Sequence, residues 1–338
     1  MPNFDTSNLL TAQTMVSDTY AAPEMRMSPI TAFDLLSRND EFLVVGADTL
    51  KTRDDRPIEA HLLARTKRAS GSARAHDHTG TIDDTIKETL TWTTKSDKTS
   101  ISLKLLNKSN FDFNKVLANK LAQCCMNILE DKEAEAIAYL LAQRSQYSVA
   151  LKGASFNTDN DCIDIAAANK EKFYSLLKSA FRRNKHSKRL DIIADSLAYV
   201  DQEWLAAQGA QNDENQGFSL NGTTVVESID LDDNNYNNGL VIAMPAGTAC
   251  ALNWIPQENR DGWGDYNTYE GGFGTFEFMG YTFALHGYLQ RADTSAANGD
   301  KQDVKMEFEL SLDSSYNKAP LSTTNAGESV IFQAGVAA

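Results

Sequence analysis

The stretch Ile101-Ser102-Leu103-Lys104-Leu105, followed by Ser109-Asn110-Phe111-Asp112 and then by apolar residues at Leu117, Leu121, Cys125, Ile128, Ile137 and Leu141, decides the reading of this chain. The first five residues alternate apolar and polar side chains, the period of a strand with one buried face. Ser109 or Asn110 then offers a side-chain oxygen to the first free amides of a helix, and Asp112 suits its positive end. The apolar positions beyond recur near helical spacing, while Glu130, Asp131, Lys132, Glu133 and Glu135 occupy much of the other side. Neither Pro nor Gly interrupts Phe111–Gln143, so the pattern predicts one helix. At 1.5 Å per residue it would be roughly 50 Å long, far above the mean of about 11–12 residues. It reads as a strut.

Upstream, Leu90-Thr91-Trp92-Thr93 and Ile101–Leu105 predict an antiparallel hairpin turning at Ser96-Asp97-Lys98. Two strands alone are marginally stable, so this hairpin needs a surface to lie on. Residues 51–80 are charged, with Lys51, Arg53, Arg56, Arg65, Lys67, Arg68 and Arg74 before a small-residue run. Residues 1–50 are weakly patterned; Pro23 and Pro29 limit any helix, and a short one is expected from Ser28 to about Asn39. Such a segment buries little by itself and needs tying down, for which another chain is a natural candidate.

Downstream, helices are expected at about Ala166–Arg183 and Asp195–Gln208, with a short strand at Arg189–Ala194 between them. Strands are expected at Gly217–Val226 with an Asn-Gly turn, at Leu240–Met244 and at Thr248–Trp254. Phe276–Leu289 and Val304–Leu312 read as long antiparallel strands, and Ser322–Ala338 as small and polar around Val330-Ile331-Phe332.

The chain has 338 residues, 42% hydrophobic and 23% charged, a globular balance. No apolar run approaches a membrane span, and the start Met1-Pro2-Asn3-Phe4-Asp5 lacks a signal-peptide pattern. A net charge of −14 argues against a whole-protein basic grip on nucleic acid. Leu190–Asp300 holds 17 acidic residues and two basic ones, Arg260 and Arg291, so this segment carries −15. That imbalance suggests one structural unit. Just upstream, Lys178, Arg182, Arg183, Lys185, Lys188 and Arg189 form a basic run: a solvated helix face, or a contact with an acidic surface or nucleic acid.

No chemical constellation rises to an active site. Gly-x-Ser-x-Gly, a phosphate loop and His-Glu-x-x-His are missing from the sequence. Gly271-Gly272-Phe273-Gly274, after Asp261-Gly262-Trp263-Gly264, reads as a flexible aromatic loop, because phosphate cradling needs a strand before it and a helix after. Asp230-x-Asp232-x-Asn234 opens like a calcium loop but has Asn235 where Gly belongs and Val241 where Glu belongs; a polar turn is the better reading. His76-Asp77-His78 lies in the basic stretch without a rigid scaffold, and His61, His186 and His286 are isolated. Cys124, Cys125, Cys162 and Cys250 read as reduced packing residues. Trp254, Trp263 and the run from Tyr266 to Tyr288 could stack a ligand but fit core or interface better. No catalytic, cofactor or metal residue is assigned, which favours a structural role.

This order of elements resembles the major capsid protein of tailed double-stranded-DNA phages, the Hong Kong 97-like fold. Ile101–Leu105 into Asn110–Gln143 is similar to that family's passage from extended loop to spine helix. Ile192-Ile193-Ala194 through Phe218–Val226 resembles its strand, helix, long loop and Gly-containing strand before an acidic turn. The resemblance implies an α+β chain with an N-terminal arm (1–50), an extended β-hairpin loop (51–98), a peripheral domain with the spine helix (99–147 plus 282–338) and a mixed α/β axial domain (148–281). It implies self-assembly through hexamers and pentamers into an icosahedral head enclosing DNA without sequence-specific binding, put together in the bacterial host cytoplasm. Separate scaffolding, portal and decoration proteins are the expected partners, and no membrane. No lysine and asparagine can be matched to the cross-linking pair of some members. Deleting Ala60–Asp97 is expected to leave a folded subunit that does not assemble. An encapsulin-like compartment, another virion protein such as a tail tube, and a small-molecule enzyme using residues 254–288 are the alternatives.

Under that resemblance, six copies of the acidic segment would bring roughly 90 negative charges to one axis, repelling wherever loops touch within the screening length of about 8 Å. Assembly should then need moderate salt or divalent cations, or the basic run Lys178–Arg189 should offset the charge locally.

Overall fold

The computed structural model describes residues 6–20, 27–39, 43–62, 86–102, 113–145, 153–184, 186, 189–209, 223–231, 236, 239–292, 303–319 and 331–336. The chain begins with α1 (Thr6–Tyr20), α2 (Thr31–Ser37), α3 (Ala47–Lys51), β1 (Glu59–Leu62), β2 (Ile86–Thr89), β3 (Thr93–Ser102) and α4 (Phe113–Ala142). Then follow β4 (Ala154–Asn157), β5 (Cys162–Ile165), a 3-10 turn (Ala167–Lys172), α5 (Phe173–Arg183), β6 (Leu190–Ala194), α6 (Ser196–Gly209), β7 (Thr224–Glu227) and β8 (Leu240–Pro245). The last elements are β9 (Ala249–Trp254), α7 (Gln257–Asp261), β10 (Gly264–Asp265), β11 (Gly271–Phe278), β12 (Tyr281–Ala292), β13 (Asp303–Lys318) and β14 (Phe332–Val336).

The predicted strut is present as the 30-residue α4. Its wet face is narrow: Lys115, Asn119, Gln123, Asn127, Asp131, Ala134 and Ala138 are exposed along one side. Leu117, Leu121, Cys125, Ile128, Leu129, Ile137 and Leu140 are buried, and so are Lys132 and Glu133 from the charged run. A helix buried around most of its circumference must lie between layers. α1 and α2 pack on it from one direction, and β3 and β13 from another. Leu9, Ala12 and Val16 of α1 share its apolar core. The described part of the N-terminal segment, expected to be tied down by another chain, is therefore packed here on α4 of its own chain.

Three sheets are formed by the described residues. The first runs β10-β11-β12-β13-β3, with β9 also pairing β13; the second runs β4-β5-β14-β8-β6-β7; β1 and β2 form a small third. The expected turn at Ser96-Asp97-Lys98 does not exist. β3 runs straight through it, antiparallel to β13, with Ser96 opposite Ser311, Asp97 opposite Leu310 and Lys98 opposite Glu309. The reason is polar pairing on both faces of a strand that has no Gly or Pro to turn it. Asp97 accepts a bond from Asn127 of α4 at 2.9 Å, and Lys98 reaches Glu309 across the ladder at 3.6 Å. Deletion through Asp97 would therefore cut into a sheet strand; Leu103–Leu105 and Ser109–Asp112 lie outside the described residues. The actual hairpin pairs β1 with β2, Glu59 opposite Thr89 and Leu62 opposite Ile86, around residues 63–85, which also lie outside.

Phe276–Leu289 is likewise two strands. Met279 and Gly280, both at positive φ, form the turn that joins β11 to β12. β14, in the tail read as small and polar, is a fully buried strand lying between β5 and β8. Two of the expected domain limits therefore shift. Phe332–Val336 joins the sheet of residues 154–245 rather than that of β12 and β13, and residues 249–281 join β13 rather than the sheet of β4–β8. The acidic segment is divided with them: Leu190–Thr248 holds ten acidic residues and no Lys or Arg, and Ala249–Asp300 seven acidic against two basic.

The helices expected around 166–183 and 195–208 and the strand before Ala194 stand close to where the sequence places them. α5 buries Phe173, Leu177 and Phe181, and Phe181 meets Phe332 of β14 edge to face at 5.0 Å. The two sheets are joined at the end of α4. Ser145 N–H donates to Ile331 O at 2.8 Å, and Arg144 donates to Asn160 O at 2.8 Å and to the Gln333 side chain.

Candidate assembly surfaces

The residues weighed for chemistry disperse. His286 stacks on Phe273 with centroids 4.5 Å apart, His61 sits on β1, and His76–His78 lie outside the described residues. Among the described residues no group of three His, Cys, Asp or Glu is placed to hold a metal ion. Asp230 is described but Asp232–Asn235 are not; burial first, and Glu130 second, raise the Asp230 carboxyl above its ordinary range. None of the four cysteines forms a disulfide, and all are buried.

The glycine cluster is not a flexible loop. Gly271–Gly274 belongs to β11, paired with β10 and β12, and Tyr266 lies across it. A Cβ on Gly272 would come within 3.0 Å of Tyr266 Cγ, and one on Gly287 within 3.0 Å of Tyr266 Cδ1. The glycines make room for an aromatic ring. The aromatic run divides accordingly: Trp254, Tyr266, Phe276 and Phe283 are buried, while Trp263 and Tyr269 are 53% and 79% exposed. A cleft of about 960 Å³ lies between α1 and β10–β11, bordered by Leu10, Asp261, Tyr266 and Glu277 among others.

What the fold does build is a set of stapled segments. The N-terminal segment is fixed to α4 by acceptors. Ser28 N–H donates to Glu130 Oε1 at 2.7 Å, Ala32 N–H to Glu133 Oε1 at 3.0 Å and Phe33 N–H to Glu133 Oε2 at 2.8 Å. Ala32 and Phe33 carry free amides of the first turn of α2, so Glu133 caps that helix from another element. Ser228 donates to the same carboxylate at 2.8 Å, and the Thr31 hydroxyl to Glu227 O, which ties the second sheet to the same point. Phe33 then stacks on Tyr281 at 5.2 Å.

The described part of the β1–β2 hairpin is held to the body of the chain, with Leu43 bridging Leu62 and Val44 N–H donating to His61 O. Ala60, Leu62 and Leu90 are buried with Leu43, Leu50 and Leu252, and Trp92 Nε1 donates to Pro57 O at 2.6 Å. Ile58 and Ile86 are exposed. On the second sheet, α6 presents Leu197, Val200 and Trp204 to solvent, and α5 ends in exposed Arg182 and Arg183. Of the basic run, Arg189 donates to the Thr224 hydroxyl, and Lys185 and Lys188 lie outside the described residues. Sequence reasoning missed the α6 stripe, although its 3 and 4 spacing was readable. The Glu133 cap joins positions 100 residues apart and left no local signal.

No family model and no curated protein sequence matches the chain. Solved structures do. One from Mycobacterium phage Che8 superposes over 93% of both chains with a TM-score of 0.50 at 9% identity. The chain shares the fold of that phage structure. The capsid of a native GTA particle matches 93% of this chain and 92% of its own at TM-score 0.45 and 13% identity. The holo-SrpI encapsulin from Synechococcus elongatus PCC 7942 matches 76% and 77% at TM-score 0.41 and 11% identity. The fold assignment rests on the first. The long α4, the capped arm and the β1–β2 hairpin are parts of one mixed α+β architecture.

Proposed function

We propose that the chain is a Hong Kong 97-like major capsid protein that assembles through hexamers and pentamers into an icosahedral phage head around double-stranded DNA. The observation that carries this reading is the fold shared with the Mycobacterium phage Che8 structure over 93% of the chain. In this reading residues 1–50 are the arm and the β1–β2 hairpin with 63–85 is the extended loop. The sheet of β3, β13 and β9–β12 with α4 is the peripheral domain. The sheet of β4–β8 with β14 is the axial domain. The role is structural rather than catalytic, the location is the virion, and the partners are further copies of the chain with portal, scaffolding and decoration proteins.

A two-stranded hairpin with exposed isoleucines is stabilised when it lies on a neighbour, and repeated contacts of this kind suit a closed shell. Replacing residues 63–85 by a short turn tests the role of the loop, because it leaves every described strand intact. The expected result is a subunit with unchanged melting temperature that no longer closes into shells; normal shells would contradict the assignment. Particle contents test the cargo. Packaged DNA supports the phage reading, and a single enclosed protein would favour an encapsulin-like compartment instead.

A further inference from the structure

α6 carries an apolar stripe on its outer side. Leu197, Val200 and Trp204 are 54%, 56% and 66% exposed, at spacings of three and four residues that stack them along one helix face. The helix is anchored to its own chain elsewhere: Ala198 is buried, its carbonyl accepts from Tyr174 OH at 3.2 Å, and Asp201, at the edge of the stripe, pairs with Lys170 at 2.6 Å. No other element described here exposes three large apolar residues in register. Such a stripe on a surface helix marks a contact.

Charge indicates what covers it. α6 holds Asp201 and Glu203 and no basic residue, and Glu203 is exposed beside Val200 and Trp204. The last turn of α5 on the same sheet exposes Arg182 and Arg183. One molecule therefore bears an apolar–acidic patch and a basic patch at two places. Two unlike, complementary patches on one chain suit a head-to-tail contact, which closes into a ring when its rotation returns to the start and otherwise runs on as a filament.

We propose that Leu197, Val200 and Trp204 form the apolar centre of a contact with a second copy of this chain, flanked by Glu203 meeting the Arg182–Arg183 end of α5 in that copy. The contact rests on the shell-protein reading and deepens it, since it names the surface through which a ring of subunits closes. It also gives Arg182 and Arg183 a use: they lie against the acidic helix of the next subunit.

The native cysteines are buried, so Val200→Cys adds one reactive thiol at the centre of the stripe. Cys-directed maleimide labelling is compared between assembled material and the free-subunit fraction from size-exclusion chromatography. The contact predicts labelling at least tenfold slower in the assembled fraction. Equal rates would overturn it. So would slow labelling in both fractions, which would mean that the stripe is covered within its own chain, for instance by residues 210–222. A second measurement covers the case in which Val200→Cys itself blocks assembly. Glu203→Lys chains and Arg182→Glu/Arg183→Glu chains should each fold but form no rings, and an equal mixture should form six-membered rings, in which the two chains can alternate; a mixture of folded chains that forms no ring would overturn the proposal. If the unsubstituted chain forms no particle at all, the shell reading fails instead.

Discussion

Lys132 and Glu133 are neighbours on α4, both wholly buried, and each serves a different layer of the molecule. Lys132 Nζ donates to Thr93 O at 3.0 Å, Thr93 Oγ1 at 3.1 Å and Glu135 Oε2 at 2.9 Å, which fixes the start of β3. Glu133 takes the two α2 amides and the Ser228 hydroxyl. Consecutive helix positions point about 100° apart, so one dipeptide holds the sheet with one charge and the arm with the other.

Removing the Glu133 carboxylate should release the arm. Glu133→Ala leaves two amides and a hydroxyl buried without their acceptor, at a cost of roughly 3 kcal/mol. Chemical denaturation measures it; a loss below about 0.5 kcal/mol would mean that the cap does not matter. The pH dependence has a definite sign. Burial pushes the carboxyl above its ordinary range, and the Phe33, Ala32 and Ser228 donors pull it partly back. The folded state then holds this proton more tightly than the unfolded chain. Its contribution to stability is fully present below the ordinary carboxylate value and is lost as pH rises through the folded one. The stability of the native chain minus that of Glu133→Gln should therefore fall as pH increases above about 4.5; a flat difference would contradict the assignment.

Lys132 should behave as a positioned cation whose stem also fills space. Lys132→Met keeps most of the stem and should cost about 1–3 kcal/mol, mainly through the Thr93 acceptor it leaves unmatched. Lys132→Ala adds a cavity and should cost about 3–5 kcal/mol. Equal losses in the two variants would show that packing of the stem contributes nothing.

How much of this was legible in sequence depends on where the information lay. α4 was readable because 30 residues without Pro or Gly repeat one period. β6, α6 and β8 were readable because each carries its own pattern. β3 was misread because Thr93–Ser100 is polar throughout, and its strand identity comes from β13 and α4 rather than from burial of an apolar face. β14 was missed because a five-residue strand flanked by small residues acquires its place only beside β5 and β8. The candidate surface divides in the same way: the α6 stripe could be counted from its residues, whereas the Glu133 cap exists only in three dimensions.

The position of β14 has its own test. Gly335 lies against Tyr236, whose hydroxyl donates to Asp164 at 2.7 Å; a Cβ at 335 would fall 2.7 Å from ring atom Cγ and 2.8 Å from Cε1. Gly335→Ala should destabilise by about 1–3 kcal/mol through this overlap, and Tyr236→Ala in the same chain should relieve part of the clash. Additive losses would place the strand elsewhere.

The thiols should be silent in the folded chain. Burial, with Asp97 second, pushes Cys124 up to about 12, and burial raises Cys125 well above the ordinary thiol range. Only the thiolate reacts, so native protein near neutral pH should take up no thiol reagent over minutes, and unfolded protein should take up four equivalents. Fast native labelling would contradict the packing described for α4.

The most direct test of the account is electron microscopy of particles purified from cells that express the chain. The account predicts closed icosahedral shells built of ring-shaped capsomers, with α4 visible as a 30-residue rod in each subunit. Open tubes, or subunits that remain monomeric at every concentration, would contradict it.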